Sequence, residues 1–433
     1  MNGLLDDRII PAVMKFTNTK AIQAMKDGML LVIPFLITGS LFMLLANLPY
    51  QPLADAITDC GLAAVFSQIS SSSFSLMSLF AVTGIAHTYI KNENIPTAFV
   101  GSLIALSSFV ILMPPSLTSE NGDVVGSIIS KDWTAGKGMI CAIVVGLLVG
   151  WSYSAMIRKG WRITMPAGVP QGVADSFTAL LPTVVIITVT GVVCGAFRFI
   201  ADTSFLEWIY TAIQTPLQGA GDSFGGVMLM TVVMSVLWWC GVHGGSICGA
   251  ILYPILQSNM SDNQAILDAG KELTVANGGR IFTQQFWDNY LCMTGAGLVI
   301  GIVVYICFFA KAKNLRELGK LSLVPNLFNI SEPLVFGVPI VLNFYLLIPF
   351  ILVPVITAAS SYLLMSIGVL PLFSGVMVPW TTPPIISGFL VGGWRAALWQ
   401  LILIIMSVIV YFPFMRKVDN DICRQLEAAE QES

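Results

Sequence analysis

Continuous apolar stretches recur along the whole chain and constrain its fold more than any other feature. They are about 20 residues long, the length that a helix needs to cross a hydrocarbon core of about 30 Å. They lie at roughly 28–48, 74–91, 97–116, 136–156, 177–200, 224–243, 287–310, 341–366 and 396–413. Only 10% of the 433 residues are charged, too few to cover a soluble surface, since soluble domains carry about 25%. The sequence predicts an all-α polytopic membrane protein.

The distribution of basic residues predicts the orientation of the chain, because cytoplasmic loops carry an excess of Lys and Arg. Most of the 21 basic residues can share one side, which puts both termini in the cytoplasm. They are Arg8, Lys15, Lys20, Lys26, Lys91, Arg158, Lys159, Arg162, Lys311, Lys313, Arg316, Lys320, Arg416, Lys417 and Arg424. Two termini on one side require an even number of crossings. We therefore count the short segment after His243, which contains Pro254, as a crossing, which makes about ten.

Two further apolar segments contain prolines at positions that a straight helix does not tolerate. One is NISEPLVFG, residues 329–337, and the other is residues 370–392, with prolines at 371, 379, 383 and 384. Both are expected to form re-entrant hairpins. Irregular backbone at membrane depth is tolerated only where protein or a water-filled cavity surrounds it. The second half of the chain is therefore expected to enclose a cavity.

These features predict four parts of the chain. Residues 1–200 form an N-terminal membrane half with five spans, and residues 201–223, which are more polar, form an amphipathic connector. Residues 224–415 form a C-terminal transport half that contains both hairpins. Residues 416–433 form a cytoplasmic tail.

Glu332 is the first candidate for chemistry, because a carboxylate at membrane depth is costly and its default interpretation is functional. Pro333 biases the preceding residue away from helical dihedral angles, so we expect Glu332 at a break between two half-helices. Capping of the following half-helix, which the helix dipole favours, is the structural alternative. Both roles are compatible with one carboxylate.

His243, in WWCGVHGG (residues 238–245), is the second candidate. An imidazole can exchange a proton near neutral pH, and the neighbouring Gly244 permits a close approach of ligand or backbone. A histidine satisfied within the core is the alternative.

The second hairpin contains Trp380, whose ring can pack on the apolar face of a sugar, although a membrane-interface tryptophan is the alternative. Further candidate binding groups are uncharged and polar, which suits a hydroxyl-rich ligand. They are Asn329, Ser331, Asn343 and Gln285.

Several function classes find no support in the sequence. The eight cysteines are scattered without a CxxC pair, and no GxxxxGK[ST] phosphate loop is present. We therefore expect no metal, no cofactor, no nucleotide hydrolysis and no nucleic-acid partner.

NISEPLVFGVPIVLN (residues 329–343) together with WWCGVHGG resembles the enzyme IIC component of the sugar phosphotransferase system (PTS), in particular the lactose/cellobiose/diacetylchitobiose family. The resemblance covers essentially the whole chain. It implies a glucose-superfamily IIC fold in the bacterial inner membrane, and a homodimer joined through the first five spans. It also implies import of a β-linked disaccharide, whose 6-hydroxyl is phosphorylated from a phosphocysteine on a separate enzyme IIB.

The resemblance assigns roles to residues as well. The glutamate and the histidine of the two motifs lie beside the 6-hydroxyl in that family, which makes Glu332 and His243 the expected catalytic pair. The family's hairpin tryptophan corresponds to Trp380. About twenty residues follow Pro413, so we expect enzyme IIB and the upstream enzyme IIA and HPr to act in trans.

Two other functions remain open from the residues alone. A proton-coupled secondary sugar transporter would use Glu332 and His243 as its coupling pair. A membrane sugar sensor would bind its ligand without transport, but two broken hairpins favour a transporter. The identity of the disaccharide cannot be read from one sequence.

Overall fold

The computed structural model describes residue 15 and residues 19–46, 51–118, 124–166, 168–338 and 340–432, most of which are helical. Packing divides the chain into two compact units. The N-terminal unit comprises Pro11–Gly219 and Ala250–Asp262, and the C-terminal unit comprises Ala220–Gly249 and Asn263–Ser433. The four-part division expected from the sequence stays a prediction.

Helices of the N-terminal unit are mostly long and uninterrupted. They are α1 (Lys20–Leu30), α2 (Ile33–Ala46), α3 (Gln51–Asp59), α4 (Leu62–Phe74), α5 (Met77–Asn92), α6 (Ala98–Ile111), α7 (Lys131–Thr134), α8 (Met139–Arg158), α9 (Gln171–Ile200) and α10 (Phe205–Ile209). A two-stranded antiparallel hairpin, β1 (Ser116–Thr118) and β2 (Val124–Gly126), follows α6. A π-helical stretch, Tyr210–Gln214, joins α10 to α11 (Thr215–Asp222).

The centre of the N-terminal unit is α5, which packs against α1, α6 and α8. At the end of α5 the carboxylate of Glu93 is buried, and Lys20 Nζ on α1 lies 2.7 Å from it. Arg158, the last residue of α8, contacts the same carboxylate. One buried anion thus joins the ends of three helices, and both cations keep about half of their side chains exposed.

The C-terminal unit alternates long helices with short and broken ones. Its helices are α12 (Phe224–Trp239), α13 (Gly244–Asp268, of which Ala250–Asp262 belongs to the N-terminal unit), α14 (Gln284–Phe286), α15 (Ile300–Phe308), α16 (Lys313–Leu327), α17 (Glu332–Gly337), α18 (Phe344–Ser366) and α19 (Ile386–Glu432). A π-helical stretch (Trp287–Leu291) and a 3-10 turn (Ala296–Leu298) lie between α14 and α15.

Within the C-terminal unit, α12 packs on α18, and α15 packs on both α16 and α19. Asp419 on α19 is buried and accepts hydrogen bonds from the backbone N–H of Lys311 at 2.8 Å and of Ala312 at 2.9 Å. This carboxylate fixes the last helix to the loop that precedes α16. The site described below lies in the short segments next to these helices.

Six helices of the described residues are long and apolar enough to cross a membrane, and two bent helix pairs raise the count to eight. The polytopic helical architecture expected from the sequence is confirmed, but the count of about ten is not. The predicted crossing after His243 is a helix, α13, but it contains Pro254 and is not among the six.

Neither proline-interrupted segment forms a straight helix, as the sequence predicts. The first is an irregular turn followed by the six-residue α17, and the second has no helix before Ile386. α19 breaks at Gly392 and Gly393, which have non-helical dihedral angles.

Candidate functional site

A cavity of about 320 Å³ opens among the broken segments of the C-terminal unit. Its volume is at the lower end of the range of small-molecule sites, about 300–1,000 Å³. Residues from α12, the start of α13, the broken segment between α14 and α15, and both proline-rich segments line it. They are Trp238, His243, Gly245, Ser246, Asp288, Cys292, Gly295, Ala296, Asn329, Ser331, Glu332 and Trp380.

His243 is the N-cap of α13, and this position defines which ring nitrogen faces the cavity. Its Nδ1 accepts a hydrogen bond from the backbone N–H of Ser246 at 3.0 Å. Because a backbone amide can only donate, Nδ1 carries no proton, and the neutral imidazole has its proton on Nε2. Nε2 is the nitrogen nearer to Glu332, so His243 presents a hydrogen-bond donor to the carboxylate.

Trp238 and Gly244 hold the imidazole in place. The ring of Trp238 lies 4.2 Å from that of His243, centroid to centroid. A Cβ on Gly244 would overlap the carbonyl oxygen of Met234 and approach the Trp238 ring at 3.0 Å. Glycine is therefore required for α13 to begin this close to α12.

Glu332 is the first residue of α17, and its side chain is 44% exposed. Its Oε1 lies 3.6 Å from Nε2 of His243, which is longer than a direct hydrogen bond. Among the described residues, no Lys or Arg forms an ion pair with this carboxylate. Both groups therefore keep hydrogen-bonding capacity for a third atom placed between them.

Asn329 links three segments of the cavity wall through its side-chain amide. Oδ1 accepts from the N–H of Thr294 at 2.7 Å, while Nδ2 donates to the carbonyl oxygens of Trp380 and Thr382 at 2.5 and 3.0 Å. Its backbone φ is 64°, a left-handed conformation that asparagine tolerates better than most residues. Asn329 lines the cavity, but its polar atoms bind the protein's own backbone.

Ser331 and Gly295 bring the segment 329–337 against the broken segment that precedes α15. Ser331 is buried, and its Oγ accepts from the N–H of Ala296 at 3.0 Å. Gly295 has φ 85°, and a Cβ there would overlap the Ser331 side chain. The close approach of these two segments therefore depends on glycine.

Trp380 lies in the irregular, proline-rich segment before Ile386, and 55% of its surface is exposed. It lines the same cavity as Glu332 and His243. An accessible indole beside a carboxylate and an imidazole donor is an arrangement that can bind a sugar ring by its apolar face and its hydroxyls.

Five of the eight predicted site residues line this cavity: Glu332, His243, Trp380, Asn329 and Ser331. The other three do not lie on its wall. Asn343 caps α18, its Oδ1 accepting from the N–H of Tyr345 at 3.0 Å. Gln285 is fully buried, its Oε1 accepting from Asn289 at 2.9 Å. Gly244 packs against α12, as described above, and its neighbour Gly245 lines the cavity instead.

Asp288 is a wall residue that the sequence analysis missed. It belongs to the π-helical stretch Trp287–Leu291, and its Oδ1 accepts a hydrogen bond from Gln284 Nε2 at 3.0 Å. An acid within an apolar segment is itself a signal for function, and that signal could have identified this residue. Ser246 and Cys292 were also missed, because nothing in their sequence neighbourhood distinguishes them.

Comparison with known families and proteins gives consistent matches. The family "Phosphotransferase system, EIIC" matches residues 26–354. The chain is 33% identical over 436 residues to the lichenan permease IIC component of Bacillus subtilis (strain 168), covering 97% of this chain and 94% of the relative. It is 32% identical over 429 residues to the oligo-beta-mannoside-specific EIIC component of the same organism, covering 98% and 96%.

A solved structure is similar along almost its full length. It is the crystal structure of ChbC, the IIC component of the N,N'-diacetylchitobiose-specific phosphotransferase system. The TM-score is 0.92 at 30% sequence identity, and the match covers 98% of this chain and 99% of the other.

Proposed function

The chain belongs to the phosphotransferase system EIIC family, and we propose that it imports a β-linked disaccharide and presents the sugar's 6-hydroxyl to a separate phosphorylated enzyme IIB. As a family member it is a multi-pass membrane protein and the sugar-translocating component of a phosphotransferase system. Beyond family membership, we propose the class of the disaccharide, the residues that bind it and the chemical role of each residue.

One observation carries the proposal: the carboxylate of Glu332 and the Nε2 donor of His243 lie 3.6 Å apart on the wall of one cavity. A hydroxyl both donates and accepts, so one sugar hydroxyl satisfies both groups at once. Its proton points to the carboxylate, and its oxygen accepts from Nε2.

The phosphoryl transfer then needs little more than position and charge stabilisation. The 6-oxygen attacks the phosphorus of a phosphocysteine on enzyme IIB. The new O–P bond forms as the S–P bond breaks, and the cysteine leaves as a thiolate. Glu332 accepts the proton of the hydroxyl, a role typically worth about 10²–10⁴-fold in rate.

His243 acts as the donor in this scheme. With Nδ1 occupied by the N–H of Ser246, only Nε2–H is directed at the reacting oxygens. It hydrogen-bonds the 6-oxygen or an oxygen of the incoming phosphoryl group, and donors of this kind act on developing charge. The base is therefore assigned to Glu332 and not to the imidazole.

The sugar class rests on relatives and on the shape of the site. The similar proteins named above are specific for oligo-β-mannosides, lichenan and N,N'-diacetylchitobiose, according to their names. Exposed Trp380 supplies an aromatic face for one ring, while Glu332 and Asp288 supply acceptors for hydroxyls. A disaccharide of the cellobiose, diacetylchitobiose or lactose class fits these groups.

Enzyme IIB is expected to approach over basic residues. On α16, which ends two residues before Asn329, Lys313, Arg316 and Lys320 are exposed. Arg158, Lys159 and Arg162 form a second basic group at the end of α8. Such groups attract an anionic partner and accelerate its association at low salt. Enzyme IIA and HPr act upstream of it.

Placement of the chain in the bacterial inner membrane, with both termini in the cytoplasm, is part of the proposal and follows from the basic residues. Reporter fusions at the last residue test it, since an external C-terminus would reverse the orientation.

A homodimer is proposed through the N-terminal unit. In support, only 17% of the apolar window of α9 is buried within the chain, which leaves a face for a second copy. Native mass spectrometry of the detergent-solubilised protein tests this stoichiometry.

The function is tested in membrane vesicles loaded with enzyme IIB, enzyme IIA, HPr, enzyme I and phosphoenolpyruvate. A panel of radiolabelled β-linked disaccharides is supplied outside, and 6-phosphorylated product is measured inside. We expect product from one or a few of them, and none when enzyme IIB is omitted.

A parallel set of vesicles lacks phosphoenolpyruvate and carries a proton gradient. Accumulation of unmodified sugar that collapses with the gradient would identify a proton-coupled transporter and contradict the proposal. Sugar binding without product or accumulation would contradict it in favour of a sensor.

A further inference from the structure

A second concave surface lies outside the sugar cavity, between the end of α18 and the part of α19 that follows its break. It is a groove of about 520 Å³. Its walls are apolar apart from one arginine. The lining residues are Leu364, Val369, Leu370, Trp394, Arg395, Leu398, Trp399 and Ile402. None of them belongs to the wall of the sugar cavity, so this groove is a separate surface.

Arg395 is an exposed cation with no anionic partner among the described residues. Its guanidinium lies 5.8 Å from the centroid of the Trp394 ring, and the described residues offer it no carboxylate. It also lies in the first turn after the break at Gly392 and Gly393, where a cation faces the positive end of the helix dipole. Helix stability therefore does not account for Arg395, whereas an anion bound beside it would compensate both charges.

Trp394 lies at the same end of the groove as Arg395, and Trp399 lines the groove further along α19. Trp394 is 65% exposed, and Trp399 donates from Nε1 to Ser361 Oγ at 2.8 Å. Tryptophans concentrate at the level of the lipid headgroups in membrane proteins. The end with Arg395 is therefore at headgroup depth, where the phosphate groups of the bilayer lie.

The apolar part of the groove has the length of a lipid chain within one leaflet. From Trp394 to Ile402 the helix rises about 12 Å, against about 15 Å for half of a hydrocarbon core. Exposed Ile405 and Ile409 continue the apolar surface beyond the groove. An acyl chain that starts beside Arg395 would stay on apolar side chains throughout its path.

We propose that this groove binds an anionic phospholipid, with its phosphate on Arg395 and one acyl chain between α18 and α19. A zwitterionic lipid carries its own ammonium group, which reduces the gain from an unpaired arginine. One basic residue near the surface contributes about a fivefold preference for anionic lipid. The site is independent of the sugar reaction.

Native mass spectrometry of the full-length, delipidated protein tests this inference. Phosphatidylglycerol and phosphatidylcholine with identical acyl chains are added in equal amounts, and the bound ratio is measured. Wild type is expected to retain one phosphatidylglycerol with about a fivefold preference. Arg395→Gln removes the preference and Arg395→Lys keeps it.

Arg198→Gln is the matched control. Arg198 is an exposed arginine in the last turn of α9, and it lines none of the cavities described here, so its loss leaves the preference unchanged. Leu398→Trp fills the groove from a position that is 48% exposed and lowers occupancy by both lipids. Size-exclusion chromatography verifies that each variant is folded and monodisperse.

Three outcomes would overturn the site. The first is equal binding of the two lipids by wild type, which would indicate annular lipid only. The second is a preference for phosphatidylglycerol that remains in Arg395→Gln. The third is an unchanged lipid occupancy in Leu398→Trp.

Discussion

Each unit has a glutamate at one end of a helix, and the two carboxylates have different surroundings. Glu93 follows the last residue of α5, and Glu332 is the first residue of α17. Glu93 in the N-terminal unit has 4% of its side chain exposed and is paired with Lys20 and Arg158. Glu332 in the C-terminal unit is 44% exposed, and the histidine donor at 3.6 Å is its one ion-pair partner in the part of the chain that the structure describes. A carboxylate whose charge is already compensated by the protein joins helices. One that is left uncompensated beside a cavity is available to a substrate.

The backbone differs in the same sense. Around Glu93 the helices α1, α5 and α8 are continuous, so their ends can meet at one buried anion. Around Glu332 the chain is broken between α14 and α15, at Asn329, and again before Ile386. Broken backbone exposes polar groups that must be satisfied, and the C-terminal unit satisfies them with side chains such as Asn329 and Ser331.

Replacement of Glu332 by Gln has the largest expected effect. The amide keeps the shape of the side chain but cannot accept the proton of the hydroxyl, so phosphorylation falls about 10²–10⁴-fold. Sugar binding is retained but weakens about tenfold, because one carboxylate acceptor for the hydroxyl is lost. The melting temperature stays close to wild type, because the side chain has no ion pair with Lys or Arg in the described residues. Product formation in vesicles and calorimetric sugar binding measure the two quantities.

Glu207→Gln is the control for this variant. Glu207 is an exposed glutamate of α10 that accepts from Thr203 Oγ1 at 3.2 Å and lies outside both basic groups, so its loss leaves the rate unchanged. A normal rate in Glu332→Gln would remove the assigned base.

Glu93→Gln should have the converse effect, on stability and not on rate. Removal of one partner of a buried ion pair costs about 3–5 kcal/mol, and we expect about 1–3 kcal/mol because both cations are half exposed. The apparent melting temperature in detergent measures the loss. Asp132→Asn, which removes an exposed pair with Lys137, is expected to change it little. Equal melting temperatures for the two variants would contradict a joining role for Glu93.

Asp288→Asn tests whether the wall residue missed by the sequence analysis contacts the sugar. Replacing a carboxyl oxygen by an amide NH₂ removes one hydrogen-bond acceptor, worth about 1.4 kcal/mol, so the KM for the transported sugar rises about tenfold while kcat changes little. Asp268→Asn is a matched control, because Asp268 accepts from Gln264 four residues earlier, as Asp288 does from Gln284, but is exposed. An unchanged KM in Asp288→Asn would exclude the contact.

Asn343→Ala has the smallest expected effect on the reaction. Asn343 caps α18, and loss of an N-cap typically costs about 1 kcal/mol of stability. We expect a lower melting temperature and an unchanged KM, measured on the same preparation. A raised KM with an unchanged melting temperature would restore Asn343 to the sugar site.

The sequence predicted the pair at the centre of the site because both residues carry strong signals. Glu332 is an acid before a proline in an apolar segment, and His243 is one of two histidines and lies between glycines. The two proline-rich segments likewise predicted a broken backbone, since proline restricts the backbone at its own position. Such local restrictions do not depend on tertiary contacts, so the sequence is sufficient to predict them.

For residues whose roles depend on partners distant in sequence, the sequence could not show which of them line the cavity. Asn343 and Gln285 are polar amides in apolar surroundings, but their acceptors are used by backbone and by Asn289. Asp288 carries the same local signal as Glu332, an acid within an apolar segment, but the sequence does not show the π-helical stretch that brings it to the cavity. The number of crossings could not be predicted from composition either, because α13 is helical but too polar to be counted as a span.

The amide of Asn329 has a consequence for how the cavity can open. Its three hydrogen bonds connect residues 294, 380 and 382 to the segment 329–337 through one side chain. Each such bond contributes about 0.5–1.5 kcal/mol. A rearrangement that parts these segments loses all of them together, whereas one that carries them as a block loses none. We therefore expect the segments joined by Asn329 to move as one rigid body when the cavity opens.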